Sequence, residues 1–184
     1  MNLIPILLSM ALLSGSAAAT EKPTLDDPRV LRVWEQLEPA KLRLKSKGVL
    51  IADQFGNRLY EKQADKPRPI ASLTKLMTAM VILDSQLPLD ETITITKADR
   101  DLLKLTGSRL EYGARLTRRE AVLLALMSSE NRAAAALGRT YPGGTEAFVR
   151  AMNDKARELH MHDSKFADPA GLDADNMASP ADLA

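Results

Sequence analysis

The chain has 184 residues, of which 45% are hydrophobic, 27% charged and 4% aromatic, and its formal net charge is +1. This composition fits one globular domain of ordinary polarity. Because basic and acidic side chains nearly cancel, and no basic cluster is paired with aromatic residues, nucleic-acid binding is not expected. The absence of cysteine excludes disulfides, thiolate metal sites and cysteine nucleophiles.

The first 20 residues have the pattern of a secretory signal peptide. An apolar run precedes an A-x-A site at Ala17-Ala18-Ala19, which predicts cleavage before Thr20 and export. An uncleaved membrane anchor is the alternative, although the run is shorter than the ~20 residues that a spanning helix needs. We therefore assign residues 1–19 to a signal peptide, and residues 20–45 to a charged linker with one short helix that carries Trp34.

The next segment alternates strand and helix patterns. In K-L-R-L-K-S-K, leucines alternate with basic residues and lead into the apolar run Val49 to Ala52, which predicts one strand. A turn at residues 53–57 then leads to a second strand, R-L-Y-E. After Pro69, apolar residues at spacings of three and four predict a helix with one apolar face. The stretch E-T-I-T-I-T-K predicts another short strand.

The chain from Ala98 to about Leu159 is predicted to be mostly helical. A capping box, T-R-R-E, opens the first of three helices, and an alanine-rich run forms the second. The three helices are expected at residues 118–128, 132–139 and 145–159. Near the end, S-P-A-D has the N-cap serine, proline and acid that start a further helix. Two strands, a helix and a helical insertion predict an α+β fold in which more strands follow.

Ser72 and Lys75 form an S-x-x-K pair at the start of the helix after Pro69. A helix N-terminus favours negative charge developing on a serine oxygen. Lys75 lies three residues further on the same helical face, and burial can lower its pKa enough to make it a base. The pair is therefore a candidate nucleophile with its own base. An ordinary N-cap serine is the alternative, and this motif alone does not exclude it.

The stretch S-S-E-N-R, at the junction of two predicted helices, holds a second polar pair, Ser129 and Asn131. On a continuous helix these side chains would point in different directions, whereas a break between helices can aim both into one cleft. There a hydroxyl can relay a proton and an amide can hold a substrate carbonyl. A helix C-cap followed by a new N-cap is the alternative.

His160 and His162 form an H-x-H pair that could bind a metal ion. A solvated helix end is the preferred interpretation, because no third ligand is apparent. No metal and no cofactor are predicted.

The order S-x-x-K and then S-x-N is that of serine β-lactamases and penicillin-binding proteins. Longer stretches narrow the resemblance: R-P-I-A-S-L-T-K-L-M-T-A-M-V-I-L-D, L-L-A-L-M-S-S-E-N-R-A-A-A, Y-P-G-G and F-A-D-P-A-G-L-D-A-D-N. Residues 46–184 resemble the low-molecular-mass penicillin-binding proteins, the serine D-alanyl-D-alanine carboxypeptidase and endopeptidase family, and the endopeptidases most of all. The resemblance implies a β-lactamase/transpeptidase-like fold, with an antiparallel sheet, flanking helices and a helical lobe.

By the same resemblance, the protein would be a periplasmic serine DD-peptidase. It would cleave D-alanyl bonds in peptidoglycan stem peptides through an acyl-enzyme, and β-lactams would block it. Ser72 would be the nucleophile, with its backbone N–H in the oxyanion site, and Lys75 would be its general base. Ser129 would shuttle the proton to the leaving amine, and Asn131 would bind the substrate amide. Peripheral association with a membrane is compatible with this family.

The third motif of the family, K-T-G on a strand after S-x-N, is absent from the 184 residues. The only Thr-Gly pair, Thr106-Gly107, precedes S-x-N and cannot be that motif. In the family the K-T-G strand forms the opposite wall of the cleft, so we expect these residues alone to be marginally folded and catalytically poor. A β-lactamase, or a peptidoglycan-binding or penicillin-sensing module without turnover, is the alternative function.

Overall fold

The computed structural model describes Pro28 and residues 41–184. The predicted signal peptide and the helix with Trp34 lie outside the described residues. The strands are β1 Val49–Ala52, β2 Arg58–Lys62, β3 Arg68–Pro69, β4 Thr92–Thr94, β5 Arg115–Thr117 and β6 Met177–Ala178. The α-helices are α1 Thr74–Asp84, α2 Arg118–Met127, α3 Asn131–Arg139, α4 Gly144–Glu158 and α5 Pro180–Leu183, and 3-10 turns span Ala71–Leu73 and Lys97–Asp99.

Three two-stranded antiparallel sheets pair β1 with β2, β3 with β6, and β4 with β5. The predicted hairpin of β1 and β2 is confirmed, and its turn is closed by the Asp53 carboxylate, which accepts the N–H groups of Phe55 and Asn57. The prediction that the strand begins in the basic stretch before Val49 is wrong. Because β2 ends at Lys62, opposite Val49, the preceding residues have no strand to pair with in the described part of the chain.

The prediction of mostly helical structure from Ala98 onwards is wrong for its first part. Residues 100–114 contain no helix, and β5 follows them. In β5, Leu116 pairs with Ile93 of β4, and both side chains are buried. A strand of three residues is too short to produce a visible alternation, so tertiary pairing, and not pattern, determines it. The predicted capping box is confirmed, because Thr117 and Glu120 each accept the backbone N–H of the other.

Helices α1 to α4 form the main hydrophobic core, with α3 at its centre. Ala133, Ala134, Ala136 and Leu137 of α3 have no exposed surface, and the small size of the alanines lets α2 and α4 approach closely. Phe148 and Met152 of α4, Met77 and Ile82 of α1, and Ala121 of α2 complete the core. This packing holds the start of α1 next to the junction of α2 and α3, where the candidate functional residues lie.

One face of α1 is not covered. Leu73, Leu76 and Leu83 are 51%, 53% and 56% exposed, while Met77 and Ile82 on the other side are buried. Among the helices in the described part of the chain, none has the length and apolar character to cross a bilayer.

Candidate active site

Ser72 lies in the 3-10 turn that leads directly into α1. The residue before it, Ala71, has φ of +47°, which turns the chain sharply at this point. Ser72 is exposed to solvent, whereas Thr74 and Lys75 are buried. The predicted helix start is therefore correct in position, with one 3-10 turn before the first α-helical residue. The turn presents the hydroxyl of Ser72 at the surface, directly above the buried side chain of Lys75.

Lys75 is 2% exposed and makes three polar contacts with its ammonium nitrogen. Its Nζ is 3.2 Å from Ser72 Oγ, 2.8 Å from Asn131 Oδ1 and 2.6 Å from the carbonyl oxygen of Ala170. The contact with Ser72 was predicted from the S-x-x-K spacing, whereas the contacts with Asn131 and Ala170 were not. The three oxygens come from segments almost 100 residues apart, so the lysine nitrogen is the point where these segments meet.

Burial lowers the pKa of Lys75 below its ordinary value of 10.5, because desolvation penalises the charged form. The negative charges of Asp168 and Glu130 oppose this effect and favour the ammonium. A neutral amine has two N–H hydrogens and one lone pair. If the hydrogens are donated to Asn131 Oδ1 and Ala170 O, the lone pair remains for the hydroxyl of Ser72. The geometry therefore suits a lysine that accepts the serine proton.

Ser129 and Asn131 lie at a genuine break between helices, as predicted. Helix α2 ends before Ser128, and Ser129 adopts φ of +55° before α3 begins at Asn131. This left-handed residue separates the two helices, so that Ser129 and Asn131 each contact one member of the Ser72–Lys75 pair. Ser129 Oγ donates a hydrogen bond to Ser72 Oγ at 2.8 Å, and Asn131 Oδ1 accepts from Lys75. All four predicted side chains thus belong to one hydrogen-bonded group.

The loop D-P-A-G-L, residues 168–172, is a component that the sequence analysis quoted but gave no role. The Asp168 carboxylate accepts the backbone N–H groups of Ala170, Gly171 and Asp173 and the side-chain amide of Asn176, which fixes the loop. The fixed loop directs the carbonyl of Ala170 at Lys75, and that of Pro169 at Thr78 in the next turn of α1. It therefore clamps α1 through two consecutive carbonyl groups.

Two further contacts around S-x-N were also missed. Asn131 Nδ2 donates to Thr106 Oγ1 at 2.9 Å, and Thr106 Oγ1 donates to the buried carboxylate of Asp101 at 2.7 Å. The middle residue of the motif, Glu130, accepts from Ser108 Oγ at 2.6 Å and from the N–H of Arg132 at the start of α3. Both sets of contacts tie the helix break to the loop 100–114, which the sequence analysis had assigned to helix.

A cleft of about 440 Å³ opens above these residues. Ser72, Lys75 and Ser129 form its polar floor, and Leu73, Leu76 and Leu126 form apolar walls. The cleft is large enough for a short peptide segment, and among the described residues that line it, the polar side chains beside Ser72 are those of Lys75 and Ser129. This set of groups can carry out acyl transfer by a serine with lysine as the base.

The H-x-H pair lies away from this cleft. His160 and His162 are exposed after the end of α4, and their rings are 5.9 Å apart. Over residues 41–184, no group of three or more histidine or acidic side chains is arranged to hold a metal ion.

Comparisons with known proteins identify the family of the chain. A family model described as D-alanyl-D-alanine carboxypeptidase matches residues 35–184. The D-alanyl-D-alanine endopeptidase of Pseudomonas aeruginosa is 48% identical over 146 residues, which cover 79% of this chain and 47% of that protein. The enzyme of the same name from Escherichia coli is 45% identical over 141 residues, which cover 76% and 46% of the two chains. The chain thus spans about half the length of these relatives.

Solved structures give the same result for the fold. The Streptomyces K15 DD-transpeptidase is matched with a TM-score of 0.67 and 33% identity, over 74% of this chain and 56% of that one. The D-alanyl-D-alanine carboxypeptidase DacD of Francisella tularensis is matched with a TM-score of 0.67 and 31% identity, over 80% and 37% of the two chains. The α+β fold predicted from the sequence is confirmed by these neighbours. The chain belongs to the D-alanyl-D-alanine carboxypeptidase family.

Proposed function

We propose that the protein is an exported, periplasmic serine DD-peptidase that cleaves D-alanyl bonds in peptidoglycan cross-links through an acyl-enzyme on Ser72, and that β-lactams inhibit it. The observation that carries the proposal is the position of Lys75. Its nitrogen is buried, lies 3.2 Å from Ser72 Oγ, and has two other oxygens available for its hydrogens. The names of the relatives, endopeptidases of D-alanyl-D-alanine bonds, support the choice of substrate.

In the first step, neutral Lys75 takes the proton of Ser72 while Ser72 Oγ attacks the carbonyl carbon of the D-alanyl bond. The oxyanion that forms is stabilised by the backbone N–H of Ser72 at the helix start. The structure supports this step by placing the two reacting atoms of the enzyme in contact before substrate binds. General base catalysis of this kind contributes about 10²–10⁴-fold to a rate.

In the second step, the carbon–nitrogen bond breaks and the leaving amine takes a proton through Ser129. The hydroxyl of Ser129 is 2.8 Å from Ser72 Oγ, on the cleft side, where the leaving nitrogen would lie. Asn131 holds the amide of the substrate with the N–H that it does not donate to Thr106. The proton that the amine takes is the one that Lys75 accepted from Ser72, so Lys75 is neutral again. Water then attacks the carbonyl carbon of the ester and gives a proton to Lys75, which passes it to Ser72 Oγ as the ester bond breaks.

The test is the intact mass of the purified chain after incubation with benzylpenicillin. We expect one covalent adduct per chain in the wild type and none in Ser72→Ala. Ser85→Ala is the matched control, because Ser85 follows the other end of α1 and its hydroxyl is bonded to the carbonyl of Ile82. An unmodified wild type that shows a cooperative thermal transition would refute the proposal.

The lifetime of the adduct separates the alternatives. A DD-peptidase keeps the penicilloyl group for a long time but releases the product of a D-alanyl-D-alanine peptide, whereas a β-lactamase loses the adduct rapidly. A sensing module forms the adduct and releases no peptide product. The N-terminus of protein recovered from a periplasmic extract tests export, and we expect it to be Thr20.

A further inference from the structure

The amide of Asn131 has two chemically different ends, and the site requires one particular orientation. Its Oδ1 faces Lys75 at 2.8 Å, and its Nδ2 faces Thr106 at 2.9 Å. In the opposite orientation the NH₂ group would face the lysine nitrogen, which also carries hydrogens, and Lys75 would lose an acceptor. A neighbouring group is therefore needed to fix which end of the Asn131 amide faces Lys75.

The hydroxyl of Thr106 supplies that definition. A hydroxyl has one hydrogen to donate, and Thr106 Oγ1 lies 2.7 Å from Asp101 Oδ2. An ionised carboxylate can only accept, so the hydrogen of Thr106 is committed to Asp101. Only lone pairs of the hydroxyl then face Asn131, and they can accept from Nδ2 but can donate nothing to Oδ1.

Asp101 is itself held as an acceptor. It is 6% exposed, and its carboxylate accepts the backbone N–H groups of Leu103, Lys104 and Thr106. These hydrogen bonds lower the pKa of Asp101 to about 2 despite its burial, so the group is ionised throughout the neutral range. The backbone N–H groups of the turn thus hold the Asp101 carboxylate in place, and this carboxylate fixes the direction of the Thr106 O–H group.

We propose that Thr106 and Asp101 are positioning residues for the reaction: through a hydrogen-bond chain of fixed polarity, they orient the Asn131 amide so that its oxygen binds Lys75. The chain runs from Lys75 to Asn131 to Thr106 to Asp101, and every member donates toward the carboxylate. The inference rests on the proposed function of Ser72 and Lys75. It assigns a role to the loop 100–114, which does not touch the nucleophile.

The experiment is a double-mutant cycle on the rate of acylation by benzylpenicillin. Thr106→Val keeps the shape of the side chain and removes the hydroxyl, and we expect acylation to be about 10-fold slower. Thr106→Ser restores the hydroxyl and should restore the rate to within about twofold. In the Asn131→Ala background there is no amide to orient, so adding Thr106→Val should change the rate by less than about twofold.

A merely structural role for Thr106 would give the same loss in both backgrounds and would overturn the proposal. If Thr106→Val does not fold, the same cycle is measured with Thr106→Ala. Hydrogen exchange of the Asn131 side-chain amide, measured by NMR, needs no acylation, and we expect faster exchange in Thr106→Val. Unchanged exchange would refute the orienting contact, whereas a wild type that is never acylated would refute the proposed function alone.

Discussion

Gly171 is the position where one added methyl group should do the most damage to the active site. Its φ is +78°, and a Cβ built on it would lie 1.9 Å from the carbonyl oxygen of Ala71 and 2.9 Å from Thr74 Oγ1. Real Cβ contacts essentially never fall below 3.0 Å, so the two backbones must separate by about 1.1 Å in Gly171→Ala. Both are backbone segments, and neither can move aside as a flexible side chain would.

The expected cost has two parts. Alanine at a left-handed φ costs about 1–2 kcal/mol, and overpacking adds about 1–3 kcal/mol. For a chain of this size the total of about 2–5 kcal/mol corresponds to a fall in Tm of about 4–20 °C. The same displacement would lengthen the contact of Ala170 O with Lys75 Nζ from 2.6 Å to beyond hydrogen-bonding range. Acylation of Ser72 should therefore slow as well.

Gly144→Ala is the matched control. Gly144 has φ of +74°, almost the same as Gly171, but an added Cβ would meet nothing within 4 Å. Thermal unfolding and the penicillin adduct are measured for both variants and the wild type in parallel. We expect Gly144→Ala to lose only the cost of the left-handed backbone, about 1–2 kcal/mol, and to keep its acylation rate. Equal losses in the two variants would refute the argument that the loop 168–172 presses against the start of α1.

Two other predictions concern charged groups. The acylation rate should rise with pH and reach a plateau, and the apparent pKa of this rise should lie below 10.5. The reason is that Lys75 acts in its neutral form and burial lowers its pKa. A midpoint of the rise at or above pH 10.5 would contradict this prediction. Arg139→Met should lower the free energy of unfolding by about 3 kcal/mol, because it leaves the fully buried carboxylate of Asp99 without its cationic partner. In urea unfolding, Arg58→Met should lower the free energy of unfolding far less than Arg139→Met, because both partners of Arg58 are exposed. Similar losses in the two variants would contradict the distinction.

The residues that carry the site could be predicted largely because their neighbours have strong local signals. Ser72 and Lys75 share a helical face through their spacing, and the apolar period after them marks the helix in which they lie. The helix break at Ser129 follows from two adjacent helix patterns that cannot be continuous. That the two pairs meet, however, came from the resemblance. No spacing rule gives a contact between Lys75 and Asn131 across 56 residues.

The loop 100–114 shows what the sequence could not provide. Asp101 acts by collecting backbone N–H groups, and any acid in a polar stretch has the same appearance in the sequence. Thr106 was noted only because Thr106-Gly107 is not the K-T-G motif. The sequence analysis assigned this stretch to helix, yet Leu102, Leu103 and Leu105 are all more than 60% exposed.

The hydroxyls of Ser72 and Ser129 meet because two residues other than glycine adopt a left-handed conformation that the sequence does not predict. Ala71 and Ser129 have φ of +47° and +55°, and left-handed backbone costs about 1–2 kcal/mol for residues other than glycine. Ala71 directly precedes Ser72, and Ser129 is itself the other partner in the 2.8 Å contact between the two hydroxyls. The first is held by the loop at Gly171 and the second by the capping of α3 at Glu130. Strain of this kind persists only where surrounding structure determines it. The arrangement of the nucleophile therefore depends on segments that are distant in sequence, whereas the identity of its residues depends on short motifs.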